Sequence, residues 1–398
     1  MKRNEGTTVV LAGLLIDGTG RQPTKQAVIV IEDGRIVRTG PRSEVSFERD
    51  GSRILDFSEQ TVIPGLIDAH CHIFYFNHHF RQPSVVVAVA RAVNNARLWL
   101  EKGVTTARDI CTGNNLDIGL RDAINSGIMQ GPRLFVSGSG LAMTGAKQEP
   151  IREVVIEITG ADEFRRVTRQ QLRAGADFIK LFATAGMTEG GGTQLTVEEM
   201  RASVEEARKA GKTVAAHAIG NAGIKAAVSA GVNTIEHGTF LDEEAVAMMV
   251  KHRVALVPTL SITTTIAERG LDWEQPKALV ENARRALRAH KESVRLAHGS
   301  GIKIVAGTDP VYDDTVAMEC AALVEAGLSP MEAIVAATRS GAEILGKADE
   351  FGTIEHGKRA DLLVLDGDPL QNMAVLERPK IVMKDGLIVK KTETSPIE

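Results

Sequence analysis

Cysteine is scarce. Cys71, Cys111 and Cys320 are the three in 398 residues, an odd and sparse set that offers no secreted disulfide framework. Charge of one sign is also missing: 47 Lys+Arg against 51 Asp+Glu leave a formal net charge of -4, so no strong field draws in nucleic acid or anionic lipid. A small partner of little charge fits better. No uncharged apolar run approaches the ~18 residues that suggest a membrane span. The opening MKRNEGTTVVLAGLL passes from its basic start through Glu5, Gly6, Thr7 and Thr8 into a short run broken by Gly13, which makes a poor signal peptide. A cytoplasmic protein is expected. No low-complexity tract is present. With 43% hydrophobic and 25% charged residues, the chain has the balance of a globular protein with a large core, and disorder is excluded as its dominant state. Its length suggests two domains, or one barrel with a satellite.

From Thr7 to about Ile63 the pattern is of short strands and turns, with Asp33-Gly34 between two alternating apolar runs, the signature of a tight hairpin. The far end repeats it: ADLLVLDGDP is followed by KIVMKDGLIVK, with Asp385-Gly386 at the turn. The two ends are expected to share one small β-sandwich domain (1–62 and 350–398) around a central domain (63–349). In that middle, strand-like runs alternate with helices: IPGLIDAHCHI, VTTARDI, PRLFVSG, FIKLF, TVAAHA, TIEHG, ALVPTL and KIVAGTD. Thr196 with Glu199 and Ser329 with Glu332 match capping boxes, and Pro330 falls at a first helical position. Eight strand and helix units over about 280 residues fit an α/β fold of the TIM-like (β/α)8 type. The rival, a doubly wound open sheet, lacks a Gly-rich dinucleotide fingerprint, since Gly190, Gly191 and Gly192 follow the fourth strand.

Such a barrel places its chemistry at the C-terminal ends of its strands. His70 and His72 end the first, and period two sends both to one side and Cys71 to the other. Lys180 lies within the apolar fourth strand, where an ammonium meets a large desolvation cost. His217 ends the fifth strand, His237 the sixth and Asp309 the eighth. Singly, each has an ordinary structural role available: a hydrogen-bonded histidine, a snorkelling lysine, a capping aspartate. Together, four imidazoles, a lysine and a carboxylate need a compensating partner, and two divalent metals provide one. Tyr75, among Phe74, Phe76 and Phe80 in a chain with 4% aromatic residues, either walls the pocket or anchors its loop. His78 and His79 likewise either face substrate or bond locally. Tyr312, just past Asp309, is placed to meet substrate, and Lys147 is a candidate anion partner. His252, His290 and His298 are read as ordinary residues near helix ends, and His356 as part of the small sheet domain.

These motifs resemble the amidohydrolase superfamily, in its imidazolonepropionase-like and prolidase-like branch. VIPGLIDAHCHI is similar to its opening metal motif, GTIEHGKRADLLVLDGDP to the segment re-entering the small sheet domain, and the likeness spans nearly the whole chain. The resemblance implies that Lys180 is carboxylated by carbon dioxide and bridges two metals, that His70, His72 and Asp309 hold one of them, and that His217 and His237 hold the other. A bridging hydroxide would then attack an amide carbonyl, with Asp309 relaying the proton. Zinc suits such ligands; manganese and cobalt also fit. Deamination is disfavoured, because the shuttle glutamate expected three residues after His217 is Gly220. Related dipeptidases carry a tyrosine where this chain has Ile219, and a histidine in the strand-three loop, where it has MTGAKQEP. The expectation is a hydrolase of a peptide-like amide, an N-acyl amino acid or a dipeptide. Its alternatives are a cyclic amide, lactam, carbamate or ester as substrate, or a non-catalytic scaffold. By resemblance a homo-oligomer is expected.

Overall fold

The computed structural model describes residues 6–48, 50–74, 84–146, 154–187, 190–272, 275–310 and 314–391. Its first strands, β1 (Thr8–Leu15), β2 (Thr24–Glu32), β3 (Arg35–Pro41) and β4 (Arg53–Pro64), alternate apolar side chains between two faces. Val9, Leu11, Val28 and Val30 pack on one face, and Val10, Ala12, Ile29 and Ile31 on the other. Both faces are buried, so neither can be polar.

The barrel strands follow as β5 (Leu66–Cys71), β6 (Val104–Asp109), β7 (Arg133–Val136), β8 (Gly140–Met143), β9 (Val155–Ile158), β10 (Phe178–Phe182), β11 (Thr213–Ala218), β12 (Thr234–His237) and β13 (Ala255–Val257). Then β14 (Leu362–Leu365), β15 (Ile381–Lys384) and β16 (Leu387–Lys391) return to the first sheet, whose order is β16-β15-β14-β4-β1-β2-β3. Chain start and chain end therefore share one sheet, joined where β4 pairs antiparallel with β14 through Val62 and Val364. Asp33-Gly34 and Asp385-Gly386 both have positive φ, as a two-residue hairpin turn with the twist of its strands demands. The sheet curls until those turns touch: a Cβ on Gly34 would lie 2.5 Å from the Asp385 carbonyl oxygen. The Ala360 amide donates to Gly34 and the Gly386 amide to Ala360, closing the sandwich over its core.

Parallel pairing runs β5-β6-β7 and β13-β12-β11-β10-β8-β9. Two sets of backbone bonds join these sheets into a ring. The third barrel strand is interrupted: the Asp177 amide reaches the Val136 carbonyl before β10, and Leu181 pairs with Leu141 of β8. On the other side, residues 303–306 act as the eighth strand. Leu256 bonds Lys303 and Val305, and the Ala69 amide donates to Ala306. The result is a distorted (β/α)8 barrel. Both capping boxes form as the sequence predicts, at Thr196 with Glu199 and at Ser329 with Glu332 beside Pro330. Arg133 ties the barrel to the small sheet, donating to Asp361 at 2.9 Å and Asp385 at 2.8 Å. Among the described residues no helix is long and apolar enough to cross a membrane.

Candidate active site

Six side chains in or just past the barrel strands converge at the barrel mouth. The extended backbone of β5 aims His70 and His72 to the same side, their rings edge-on with centroids 5.5 Å apart. Cys71 points away, buried, with its Sγ donating to the Arg108 carbonyl. Asp309 follows the eighth strand, and its Oδ1 lies 3.1 Å from His72 Nε2 and 3.8 Å from His70 Nε2. Its Oδ2 is 4.0 Å from His237 Nδ1. The rings of His217 and His237 are 4.6 Å apart, and those of His70 and His237 5.1 Å. One atom each from His70, His237 and Asp309 fall within 4.8 Å of one another, a spacing that could hold a metal ion. Lys180 is 1% exposed, with its Nζ 5.1 Å from the centre of the Phe182 ring, which itself tilts against His217.

Two of these residues leave the ordinary backbone wells. His237 has φ 72° and Asp309 φ 49°, left-handed conformations that cost on the order of 1–3 kcal/mol each outside glycine. The turn at His237 has a geometric use. Period two sends Glu236 and His237 to opposite faces, yet Glu236 reaches His70 across the barrel while His237 still faces His217 and Asp309.

Hydrogen bonds fix the tautomers. His70 Nδ1 donates to Glu236 Oε2 at 2.8 Å, which leaves Nε2 a lone pair. His217 Nε2 donates to the Ala185 carbonyl at 3.3 Å, leaving Nδ1. Thr259 gives its hydroxyl proton to the Pro258 carbonyl and so accepts from His237 Nδ1 at 2.7 Å, leaving Nε2. Each ring thus keeps one acceptor nitrogen, the form a metal requires.

The electrostatics agree with neutral imidazoles. Burial, and next the Lys180 charge, push His70 down to about 4 and His217 to about 3. Burial and the neighbouring His217 push His237 well below its ordinary value. Burial lowers Lys180 to about 8, despite the pull of Glu236. For Asp309 burial raises the pKa, but the His70 and His72 rings outweigh it and hold the carboxyl well below its usual range. Glu236 behaves likewise: burial is outweighed by Arg108 and His70, and its pKa falls to about 2.

Ile219 is 3% exposed and lies beneath the loop after β10, where a Cβ on Gly191 would come within 2.8 Å of its Cγ2. It supports that loop from below. Lys147, Tyr75, Tyr312, His78 and His79 lie outside the described residues. His290 departs from its sequence reading. It is no cation at a helix end but a fully buried ring in the middle of the helix Lys277–Gly299, with Nε2 bonded to the His237 carbonyl at 3.0 Å and Nδ1 to Thr263. Burial pushes it to about 4. His298 meets Glu332 at 3.1 Å, and His356 bonds Val37 in the small sheet. Sequence reasoning passed over Arg108, Glu236 and Thr259. The first two carried a signal, charges of opposite sign within two of the strand-like runs, VTTARDI and TIEHG; Thr259 carried none.

A model of the amidohydrolase family matches residues 61–389. An ochratoxinase from Aspergillus niger is 30% identical, over 94% of this chain and 84% of its own length. An imidazolonepropionase from Rhizobium rhizogenes is 26% identical over 87% of this chain and 88% of its own. The crystal structure of a Xaa-Pro dipeptidase with methionine bound in its active site superposes with a TM-score of 0.88 at 34% identity, covering 96% of this chain and 99% of that one.

Proposed function

The chain belongs to the amidohydrolase family and is a hydrolase of carbon–nitrogen bonds, and on that premise we propose that it cleaves a peptide-like amide, an N-acyl amino acid or a dipeptide, with two divalent metal ions at the barrel mouth. The observation that carries this reading is the convergence of four histidines, Lys180 and Asp309, with acceptor nitrogens on His70, His217 and His237 set by their outer hydrogen bonds. On this reading His70, His72 and Asp309 would hold one metal and His217 and His237 the other, with Lys180, once carboxylated, as a ligand common to both. Zinc suits imidazole and carboxylate oxygen together. When bound, such a pair supplies Lewis acidity, lowering the pKa of water and polarising the scissile carbonyl.

The chain's own residues do the rest. Lys180, lowered to about 8, has a larger neutral fraction near physiological pH than an ordinary lysine; the neutral amine's nitrogen would attack the carbon of carbon dioxide and release a proton, giving an anionic oxygen donor. Asp309, held ionised, accepts the proton of the attacking water and returns it to the leaving amine, a relay typically worth ~10²–10⁴-fold. The barrel (63–349) is the catalytic body, and residues 1–62 with 350–398 form its small domain. Association with further copies belongs to the same proposal.

Substrate preference follows from Ile219 and Lys147. Ile219 lies beneath the loop after β10, and an apolar side chain in place of a ring hydroxyl offers no donor, so a ligand carboxylate needs another partner, for which Lys147 is the candidate. Tyr75 and Tyr312 complete the proposed contacts. N-acyl or aryl amides with bulky apolar groups are expected to be cleaved at least as well as Xaa-Pro dipeptides. Comparing kcat/KM for the two classes, with Lys147→Ala on the acidic substrates, tests this. Strong preference for free dipeptides, unchanged by Lys147→Ala, would contradict it.

A further inference from the structure

The interior of a (β/α)8 barrel is ordinarily filled by branched apolar side chains. Here an ion pair occupies part of it. Arg108 of β6 is 2% exposed and Glu236 of β12 is fully buried, and Arg108 Nη2 bonds both carboxylate oxygens, at 2.8 and 2.9 Å. Arg108 is itself held, by Nε on the Ala69 carbonyl at 2.6 Å, by Nη1 on Thr234 and by the face of Phe178. The Thr234 hydroxyl gives Glu236 another donor. Stability alone does not account for such a pair, because well-packed apolar residues of the same volume often serve as well or better. What apolar residues cannot do is accept the outer N–H of His70, which Glu236 Oε2 takes at 2.8 Å.

We infer that Glu236, held by Arg108, is a positioning residue that keeps His70 in its Nδ1–H tautomer and aims its Nε2 at the barrel mouth. The inference rests on the metal-dependent reading above, in which His70 shares one ion with His72 and Asp309. It also gives β12 two tasks in adjacent residues: Glu236 orients the histidine of one metal, and His237 belongs to the other. Replacing such an outer partner typically weakens metal binding ~10–100-fold. The loss falls on one ion of the two.

Glu236→Gln makes the test sharp. The Arg108 guanidinium donates only, so it takes the amide oxygen and turns the amide NH2 toward His70. That group donates to Nδ1 and drives the ring proton to Nε2, where it blocks metal. The tautomer is read in metal-stripped protein by long-range ¹H–¹⁵N correlation of labelled histidines, with His70→Asn to assign the signal. Metal affinity is read by Zn²⁺ titration against a chromophoric chelator. The expected result is a His70 signal that moves from Nδ1–H to Nε2–H in Glu236→Gln, with one of two zinc ions weakened at least tenfold and the other nearly unchanged. An Arg108→Met/Glu236→Leu double variant, which keeps the interior filled without charge, should weaken the same ion. If His70 keeps its tautomer and both ions bind as in the wild type, the inference is overturned. Equal weakening of both ions with an unchanged tautomer and a lower melting temperature of the stripped protein also overturns it, since the pair is then only structural. A wild type that binds fewer than two ions, with the tautomer responding as described, refutes the two-metal reading and leaves the role of Glu236 standing.

Discussion

Lys180 should destabilise the protein whenever no metal is bound, and Lys180→Met should therefore strengthen the fold while abolishing function. The magnitude follows from its surroundings. Burial lowers its pKa from 10.5 to about 8, a drop that at ~1.4 kcal/mol per unit corresponds to about 3 kcal/mol. The folded pKa lies below the unfolded one, so this stability is fully present above pH 10.5, declines as the pH falls, and is lost below about 8. Methionine fills a similar volume without charge. At pH 7 in chelator, the metal-free variant should exceed the metal-free wild type by about 2–3 kcal/mol in urea unfolding, a gap that closes as the pH approaches 10.5. The same variant should bind no metal at the shared position and turn over no substrate. The gain would place Lys180 among residues that trade stability for activity. A metal-free variant no more stable than the wild type at pH 7, or a gap indifferent to pH, would refute the reasoning.

Asp309→Asn should keep the fold and lose ~10²–10⁴-fold in kcat, because an amide cannot relay the proton; metal analysis alongside separates this from a loss explained wholly by missing metal. Thr259 is β-branched with φ 52°, and the amides of Leu260 and Ser261, which donate to buried Glu319, hold the chain there. Thr259→Val removes the acceptor for His237 Nδ1 and should cost about 1–3 kcal/mol in urea unfolding, and it should weaken the ion assigned to His217 and His237. His290, with a folded pKa of about 4 against 6.5, should make the protein lose about 3 kcal/mol as the pH falls from 6.5 to 4, because only the unfolded chain gains the proton over that range. In His290→Gln that slope should be shallower.

Much of this architecture is legible in the chain because its signals are local. Asp-Gly turns, capping boxes and short apolar runs each act within a few residues, and the runs at β5, β10, β11 and β12 carry candidate ligands in or just past them. The shared sheet is read less directly, from two ends with the same hairpin pattern. What escapes is non-local or irregular. The β8-β9 pair is only four residues long on each side, and the eighth strand bonds its neighbours without a continuous ladder. Arg108 and Glu236 stand 128 residues apart, so only the closed barrel makes them partners. The left-handed backbone at Thr259 runs against the preference of a β-branched residue and is imposed by the packing around it. His290 looks like a polar helix residue until the hairpin with the helix Leu260–Arg269 buries it.

The central claim, two metals held by six residues of the barrel mouth, is tested most directly by elemental analysis of the protein reconstituted with excess zinc and bicarbonate. About two zinc ions per chain are expected, since six such side chains exceed what one tetrahedral ion can use. A stoichiometry that stays near one would contradict the claim and leave Lys180 without its bridging role.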